Sequence, residues 1–274
     1  IATFSRNETT GALTFVEFDK DVAGGVDGLN GASSVTVSPD GKFVYATGQT
    51  DKAIATFFQK PTVDLSVSAT TGTEAAATAI TVTATASAAV TGDQTVTLAV
   101  TGTDITTGDY TLGTTITILN GATTGTVTFT IVDDALIESA ETATLTISNP
   151  SSGLTLGTTT TQNIAITDND VAGITLSKTS ASVSESGTTD TFTVKLTGQP
   201  TNDVVLNVSS GTITEATVAP ATLTFTNGNW NNVETVTLTG VDDALVDGNQ
   251  TSTTPSAVNT GSSDATYGSV ADQT

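Results

Sequence analysis

Residues 124 to 134 read TGTVTFTIVDD, and residues 142 to 149 read TATLTISN. In both stretches every second residue is apolar, which is the period of a β-strand with one buried face. The intervening positions are mostly threonine, whose branched side chain suits the outer face of a pleated sheet. The same alternation recurs in ITVTATASA at 80 to 88 and in QTVTLAVTG at 94 to 102. The sequence therefore predicts an all-β fold.

The composition excludes several kinds of chemistry. The chain of 274 residues has no Cys and no His, and its formal net charge is −21. Without thiols or imidazoles it has no disulfide, no Ser–His pair and no ordinary zinc or haem site. So acidic a surface disfavours nucleic acid and anionic lipid as partners. No run reaches the roughly 20 apolar residues of a membrane span, and Ile1 does not open a signal peptide, so no membrane insertion is expected.

An internal repeat organises the chain after residue 60. IVDDALIESAET at 131 to 142 is echoed by GVDDALVDGNQT at 240 to 251, an offset of 109 residues. We infer two modules, 61–170 and 171–274, each close to the length of an immunoglobulin-like sandwich. The fold expected for the chain is therefore a tandem of immunoglobulin-like sandwiches.

The second module is expected to lack its last strand. TQNIAITDND at 161 to 170 closes the first module, whereas the matching stretch of the second would fall beyond residue 274. Two explanations remain open. Either the module is cut at this boundary, or another copy donates the strand by β-augmentation, which would build a head-to-tail homopolymer.

Residues 1–60 form a separate β segment. IATF occurs at 1 to 4 and again at 54 to 57, with SPDGKFVYATG at 38 to 48 between them. The latter motif resembles a hairpin of the lactonase-type, YVTN-like β-propellers, so the segment is similar to one propeller blade. A single blade cannot bury its own faces, so the resemblance implies packing on further blades, other modules or other copies.

Acidic residues of the first module gather at one end of the predicted sandwich. We expect its strands at about 63–69, 79–86, 94–100, 114–118, 125–132, 142–148 and 161–167. If each connection reverses direction, nine of the eleven acids in this module lie at one pole, and no Lys or Arg occurs between 61 and 170. Such carboxylates repel one another unless a cation lies between them. Calcium fits best, since it takes about 6–8 oxygen ligands; the alternative is an acidic, solvated loop end.

The same stretches resemble a known family. TGTEAA, TGDYT, VDDALIESAETATLTISNP and ITDND are similar to the Calx-β domain, a calcium-binding sandwich of sodium–calcium exchangers and many large bacterial surface proteins. The resemblance covers 61 to 170 nearly end to end. It implies the following calcium ligands: Glu74, Asp109, Asp133, Asp134, Glu138, Asp168 and Asp170. It leaves Glu141 to orient the loop.

The second module is a looser Calx-β-like repeat. The acids that match the family pattern are Glu185, Asp242, Asp243 and Asp247. Gln250 stands where the first module has Glu141, and the closing DND is absent, so a weaker or incomplete calcium site is expected. A calcium ion at the end of the first module would adjoin Val171, and we expect it to stiffen the junction between the modules.

These features favour a calcium-stiffened structural or adhesive repeat protein, secreted or on a bacterial surface, over an enzyme. The expected partners are further copies or a longer parent chain, and surface glycans. Two other functions remain open, namely accessory modules of a secreted propeller hydrolase and a calcium-sensing binding module. A paired-carboxylate glycosidase is disfavoured because the acids lie on adjacent loops and the chain has only 3 Tyr and 1 Trp to line a sugar cleft.

Overall fold

The computed structural model describes residues 2–6, 13–18, 27–39, 43–246 and 248–274, and for the first two ranges the backbone alone. The elements in these ranges are β-strands, apart from one 3-10 helix of five residues. The predicted fold class, all-β with tandem immunoglobulin-like sandwiches, is confirmed. Within the described ranges, no helix is long and apolar enough to cross a membrane.

The N-terminal strands are β1 (Ala2–Arg6), β2 (Leu13–Phe18), β3 (Ala32–Val37), β4 (Phe43–Gly48) and β5 (Ala53–Phe58). β1 pairs with β2, and β3, β4 and β5 form a separate antiparallel sheet. This sheet has apolar side chains on both faces, since Val35 shares a face with the buried Ala46, whereas Ile54 lies on the other face. Val35 and Ile54 are 61% and 66% exposed. The blade assignment remains a prediction, and residues 40–42 of its hairpin lie outside the described ranges.

The first sandwich contains two sheets of five strands. Its strands are β6 (Thr62–Val67), β7 (Thr71–Thr73), β8 (Ala79–Ala86), β9 (Gln94–Thr103), β10 (Tyr110–Thr111), β11 (Thr115–Ile118), β12 (Thr124–Ile131), β13 (Glu141–Ser148), β14 (Thr155–Leu156) and β15 (Thr161–Thr167). One sheet has the order β10-β12-β8-β6-β14, and the other has the order β11-β9-β13-β15-β7. The first strand is thereby split, because β6 joins one sheet and β7 joins the other.

The core of the first sandwich lies between its sheets and uses the apolar positions of the alternating stretches. Ile80 and Phe129 form a cross-strand pair and are both fully buried. The Phe129 ring stacks on Tyr110 with 5.1 Å between the ring centroids. On the outer face the paired residues are threonines, such as Thr83 opposite Thr126. Alternation along the chain thus separates an apolar interior from a polar, uncharged sheet surface.

The second sandwich contains a four-stranded sheet, β16-β17-β21-β19, and a three-stranded sheet, β20-β18-β22. Its elements are β16 (Ile174–Leu176), β17 (Thr189–Leu196), β18 (Val204–Val208), β19 (Ala216–Ala219), β20 (Thr222–Phe225), β21 (Glu234–Gly240), β22 (Ser256–Val258) and the 3-10 helix Ala265–Ser269. Beside β22 the chain makes one further bridge, in which Ser256 and Gln273 exchange two backbone hydrogen bonds. The domain limits given above remain predictions.

The 3-10 helix closes one end of the second core. Tyr267 is fully buried, and its hydroxyl donates to the Gly198 carbonyl at 2.5 Å. Asp264 caps the helix by accepting from the Thr266 backbone N–H at 2.9 Å. Burial alone would raise the pKa of Asp264, but hydrogen bonds from Thr201, Thr266 and Asn202 outweigh it and lower the pKa to about 2. The segment is therefore held by buried, satisfied polar groups.

Replacing Phe129 by Ala should lower the free energy of unfolding by about 3–5 kcal/mol, because the substitution leaves a cavity in a closely packed core. Urea denaturation followed by circular dichroism measures this change. Thr126→Ala on the outer face of the same strand is the matched control and should change stability by less than about 0.5 kcal/mol. Equal effects of the two substitutions would contradict the orientation of β12, in which Phe129 faces the core and Thr126 faces solvent.

Candidate metal centre

Two acids reach the same pole because β7 and β15 run in parallel. Thr73, the last residue of β7, lies opposite Thr167, the last residue of β15. Glu74 and Asp168 follow directly, so both emerge at one edge of the sheet. The Glu74 backbone N–H donates to the Thr167 carbonyl at 3.3 Å, and the Ala77 N–H donates to the Glu74 carbonyl at 2.6 Å. A tight turn therefore fixes Glu74 beside the end of β15.

The connection from β12 to β13 brings two further glutamates to this pole. Glu138 lies in the loop, and Glu141 is the first residue of β13. Asp109 precedes β10, and its carbonyl accepts a hydrogen bond from the Val132 N–H at 2.9 Å, next to the end of β12. Two further segments, the β12–β13 connection and the stretch before β10, thus converge on the ends of β7 and β15.

The carboxylates meet in two overlapping groups. Glu74, Glu138 and Glu141 each place one carboxylate oxygen within 4.8 Å of the others, and so do Glu74, Asp168 and Asp170. Glu74 belongs to both groups and is only 1% exposed. It is therefore the central residue of the cluster.

Several of these oxygens are buried and have no hydrogen-bond partner among the described residues. They are Glu74 Oε2, Glu138 Oε2, both side-chain oxygens of Glu141, and Asp170 Oδ2. Glu141 is only 3% exposed. A buried carboxylate without a partner is unfavourable by several kcal/mol, which a protein avoids by protonating the group or by binding a cation.

Burial and the mutual repulsion of the carboxylates raise the pKa values of the glutamates in the cluster. Burial, and then the negative charges of Asp168 and other neighbouring carboxylates, raise the pKa of Glu74 to about 7. Burial, followed by the negative charges of Asp109 and other neighbouring carboxylates, raises the pKa of Glu138 to about 7 and that of Glu141 to about 8. The Asp109 carboxylate also stabilises the protonated Glu141 carboxyl directly. Near neutral pH these carboxyl groups are therefore partly protonated, and a cation that binds to them would displace the protons.

Other carboxylates of the cluster are oriented by backbone hydrogen bonds. The Asp168 carboxylate accepts from the Glu138 N–H at 2.7 Å and from the Asp170 N–H at 2.6 Å. The Asp134 carboxylate accepts from the Leu136 N–H at 2.7 Å. Asp168 thereby ties the β12–β13 loop to the end of β15, and it keeps lone pairs that could face a metal ion.

The ligand set suits calcium among the common protein-bound metals. All the candidate ligands are oxygens, and the sequence has no Cys or His to attract zinc or copper. Six carboxylates lie in or against the two groups, including the buried Asp109, and this number matches the high coordination number of calcium. Magnesium keeps several waters and uses one or two carboxylates, so it fits a crowded, buried cluster less well.

The structure brings together most of the ligands expected in the first module. Glu74, Glu138, Asp168 and Asp170 lie in the two groups, and Asp109 and Asp134 are near enough to raise the pKa of Glu138. Asp133 is exposed, and its negative charge contributes to raising the pKa of Asp170. Sequence reasoning did not place Glu141 among the ligands, although its position at the start of an alternating strand is a signal for an inward-facing residue.

The second sandwich repeats the loop geometry, but its described residues contain no group of three converging carboxylates. The Asp243 carboxylate accepts from the Leu245 N–H at 2.8 Å, as Asp134 does from Leu136. The Val241 N–H donates to the Glu215 carbonyl at 2.9 Å, matching the bond between Val132 and Asp109. The backbone frame of the loop is therefore shared by the two modules.

The predicted ligands of the second module are Glu185, Asp242, Asp243 and Asp247. Asp247 lies outside the described residues. Of the others, none belongs to a group of three ligands among the residues that the structure covers. Glu185 is exposed. Together with Glu215 it lines an open cavity of about 730 Å³, which also includes Leu245 and Val246 from the loop after β21. A metal site in this module remains a prediction.

The loop that carries Glu138 also contacts the second sandwich. Leu136 and Gln199 form a parallel bridge. The Gln199 N–H donates to the Ala135 carbonyl at 2.6 Å, and the Ile137 N–H donates to the Gln199 carbonyl at 3.1 Å. The Ile137 side chain packs against the core of the second sandwich. One loop thus joins the acidic cluster to the neighbouring module.

The chain matches no protein-family model and no curated protein sequence. Among solved structures it is similar to CBD12 from CALX1.2, with 18% identity, a TM-score of 0.33 and coverage of 68% of this chain and 76% of that chain. For the calcium binding domain CBD12 of CALX1.1 the identity is 20%, the TM-score 0.33 and the coverage 63% and 73%. For the apo form of the Calx CBD1 domain these values are 18%, 0.33, 40% and 99%.

In the presence of a chelator, the first sandwich should become more stable as the pH falls from about 8 to about 6. The folded state holds protons on Glu74, Glu138 and Glu141 with pKa values near 7, 7 and 8, whereas their ordinary value is 4.5. The folded state therefore binds more protons across this range, and stability is lost as the pH rises through these values. Urea unfolding at several pH values measures the slope.

Glu141→Gln is the matched variant for this experiment, because it removes one titrating group and keeps the side-chain shape. Its stability should depend less steeply on pH than that of the unmodified chain. Stability that is constant, or that increases with pH over the same range, would contradict the electrostatic description of the cluster.

Proposed function

We propose that this chain is a non-enzymatic calcium-binding module whose principal site lies at the pole of the first sandwich. The observation that carries the proposal is the set of buried, unpartnered carboxylate oxygens of Glu74, Glu138, Glu141 and Asp170. The sequence of the first module, residues 61 to 170, contains no Lys or Arg that could neutralise them. A hard divalent cation would supply the missing positive charge and the missing ligand contacts together.

We further propose that calcium stiffens a secreted or surface-exposed structural or adhesive protein. The support is the loop from Ala135 to Ile137, which pairs with Gln199 while its next residue, Glu138, belongs to the acidic cluster. An ion that orders this loop would also restrict the junction between the sandwiches. Extracellular calcium concentrations suffice for binding in the range of about 10⁻⁴–10⁻³ M that is typical of extracellular modules.

The partners that we propose are further copies of the chain or neighbouring modules, and uncharged surface glycans. A formal net charge of −21 disfavours polyanions such as nucleic acid. The outer sheet faces of the first sandwich are uncharged at many positions, where threonine pairs such as Thr83 with Thr126 and Thr101 with Thr144 lie side by side. Such faces present hydroxyl groups without the repulsion that the acidic pole would impose.

Calcium should raise the melting temperature of the chain, because an ion that binds only the folded state stabilises it. Glu74→Gln should weaken calcium binding at least about tenfold, which corresponds to about 1.4 kcal/mol. In chelator the same variant should melt at the same temperature as the unmodified chain or higher, since it removes one of the mutually repelling charges. Differential scanning calorimetry and calorimetric titration with calcium chloride measure both effects.

Glu234→Gln is the matched control for this experiment. Glu234 begins β21, at the far end of that strand from the second module's Asp242, and it belongs to neither carboxylate group. This substitution should change neither the calcium affinity nor the difference between the two melting temperatures. If the unmodified chain melts identically in calcium and in chelator, the calcium proposal is wrong.

The distance between the two sandwiches should be more narrowly distributed with calcium than without it. Spin labels can be attached at Thr128→Cys and Thr222→Cys, two exposed sites on different sandwiches, because the chain has no cysteine of its own. Electron–electron double resonance then gives the distance distribution. A control pair within the first sandwich, Thr128→Cys with Thr101→Cys, should not respond. Equal widths in calcium and in chelator would contradict a calcium-stiffened junction.

A further inference from the structure

The split first strand gives the first sandwich two parallel contacts with its C-terminal strands, because β6 pairs with β14 and β7 pairs with β15. β7 pairs with β15 in parallel, with Thr71 opposite Ala165 and Thr73 opposite Thr167. The pairing extends by one bond on each side, from the Ala165 N–H to the Thr70 carbonyl and from the Glu74 N–H to the Thr167 carbonyl. These bonds join the beginning of the module directly to its end.

Tension applied along the chain would load the contact between β7 and β15 in shear. The chain enters the module before β6 at the pole opposite the acidic cluster, and it leaves after β15 at the acidic pole. A pull on the two ends therefore draws β7 and β15 in opposite directions along their common axis. In this geometry the hydrogen bonds of the pair share the load, whereas peeling a strand sideways breaks them one after another.

The acidic cluster lies at the end of this same pair. Glu74 directly follows β7, and Asp168 and Asp170 directly follow β15. These three residues form one of the two groups whose oxygens lie within 4.8 Å of one another. The buried oxygens Glu74 Oε2 and Asp170 Oδ2, one from each side of the pair, have no hydrogen-bond partner among the residues described.

We propose that the cation site of the first sandwich is a force-bearing latch, in which the ion joins the end of β7 to the end of β15 and resists their shearing. This inference rests on the proposed calcium function and adds a mechanical role to it. To separate the strands, tension would have to pull Glu74 away from Asp168 and Asp170, and therefore out of the shared ion. The ion would then act directly on the rate of forced unfolding.

The second sandwich provides an internal comparison. All ladders formed between its own strands in the described part of the chain are antiparallel. The segment between β16 and β17, which corresponds in sequence to β7, forms no strand there. A latch of this kind therefore belongs to the first sandwich.

Single-molecule force spectroscopy on the full chain tests the latch. Handles attached at Lys60→Cys and Val171→Cys, both exposed, load β7 against β15. Handles at Thr91→Cys and Thr123→Cys, also exposed, load the pole opposite the cluster, where the Val90 N–H donates to the Ala122 carbonyl at 2.9 Å. Each pair is held at constant force in calcium chloride and then in chelator, and thermal melts of the same proteins report calcium binding.

Removing calcium should increase the unfolding rate at least about tenfold for the first pair of handles and less than about threefold for the second, because forced unfolding depends on which contacts are already lost in the transition state. Equal acceleration for both pairs would overturn the latch, since the ion would then be an ordinary stabiliser of the fold. The latch is also overturned if the first pair shows no acceleration although the melts respond to calcium. If neither measurement responds to calcium, the proposed calcium function itself fails.

Glu74→Gln and Asp168→Asn, the substitutions on the two sides of the latch, should each make the first pair insensitive to calcium. Glu234→Gln, the matched control outside both carboxylate groups, should leave the calcium response unchanged. A full calcium response in both latch variants would overturn the assignment of these residues.

Discussion

The mutual repulsion of buried carboxylates is the constraint on which the first sandwich depends. Glu74 and Glu141 are almost fully buried, and burial together with neighbouring negative charges raises the pKa of both. No base between residues 61 and 170 offsets this charge. The surrounding backbone nevertheless holds the acids in place through the paired ends of β7 and β15 and through the bond from the Glu138 N–H to Asp168. The protein thus maintains an unfavourable arrangement that a cation would make favourable.

Comparison of the two sandwiches shows that the backbone geometry of the acidic loop does not by itself create the carboxylate cluster. Both modules have an aspartate that accepts a hydrogen bond from the residue two positions later, Asp134 in one and Asp243 in the other. In the first module parallel strand ends bring Glu74 against Asp168, whereas the described part of the second module contains no comparable group of carboxylates. A repeated sequence motif therefore fixes local backbone geometry, whereas convergence of the ligands needs strands that are distant along the chain.

The long strands could be predicted from sequence because alternation over several residues is a strong signal. Strand β8 at residues 79–86 and strand β15 at residues 161–167 occur where the pattern places them. The short strands β7, β10 and β14 contain only two or three residues, which is too few for a period to be seen. Most of the acidic cluster could be predicted because alternating strand directions place the loops that carry these acids at the same pole. The burial of Glu141 in the cluster and the pairing of Leu136 with Gln199 could not, because they depend on contacts between distant segments.

The first sandwich has an odd number of long strands, and this determines how such units can be combined. Seven strands of four or more residues, each reversing the direction of the last, make the chain enter at one pole and leave at the other. Units of this kind join in a row without a connection that must return along their length. A gene could therefore gain or lose whole units by duplication or deletion, and the protein would change its reach while each remaining unit kept its own fold.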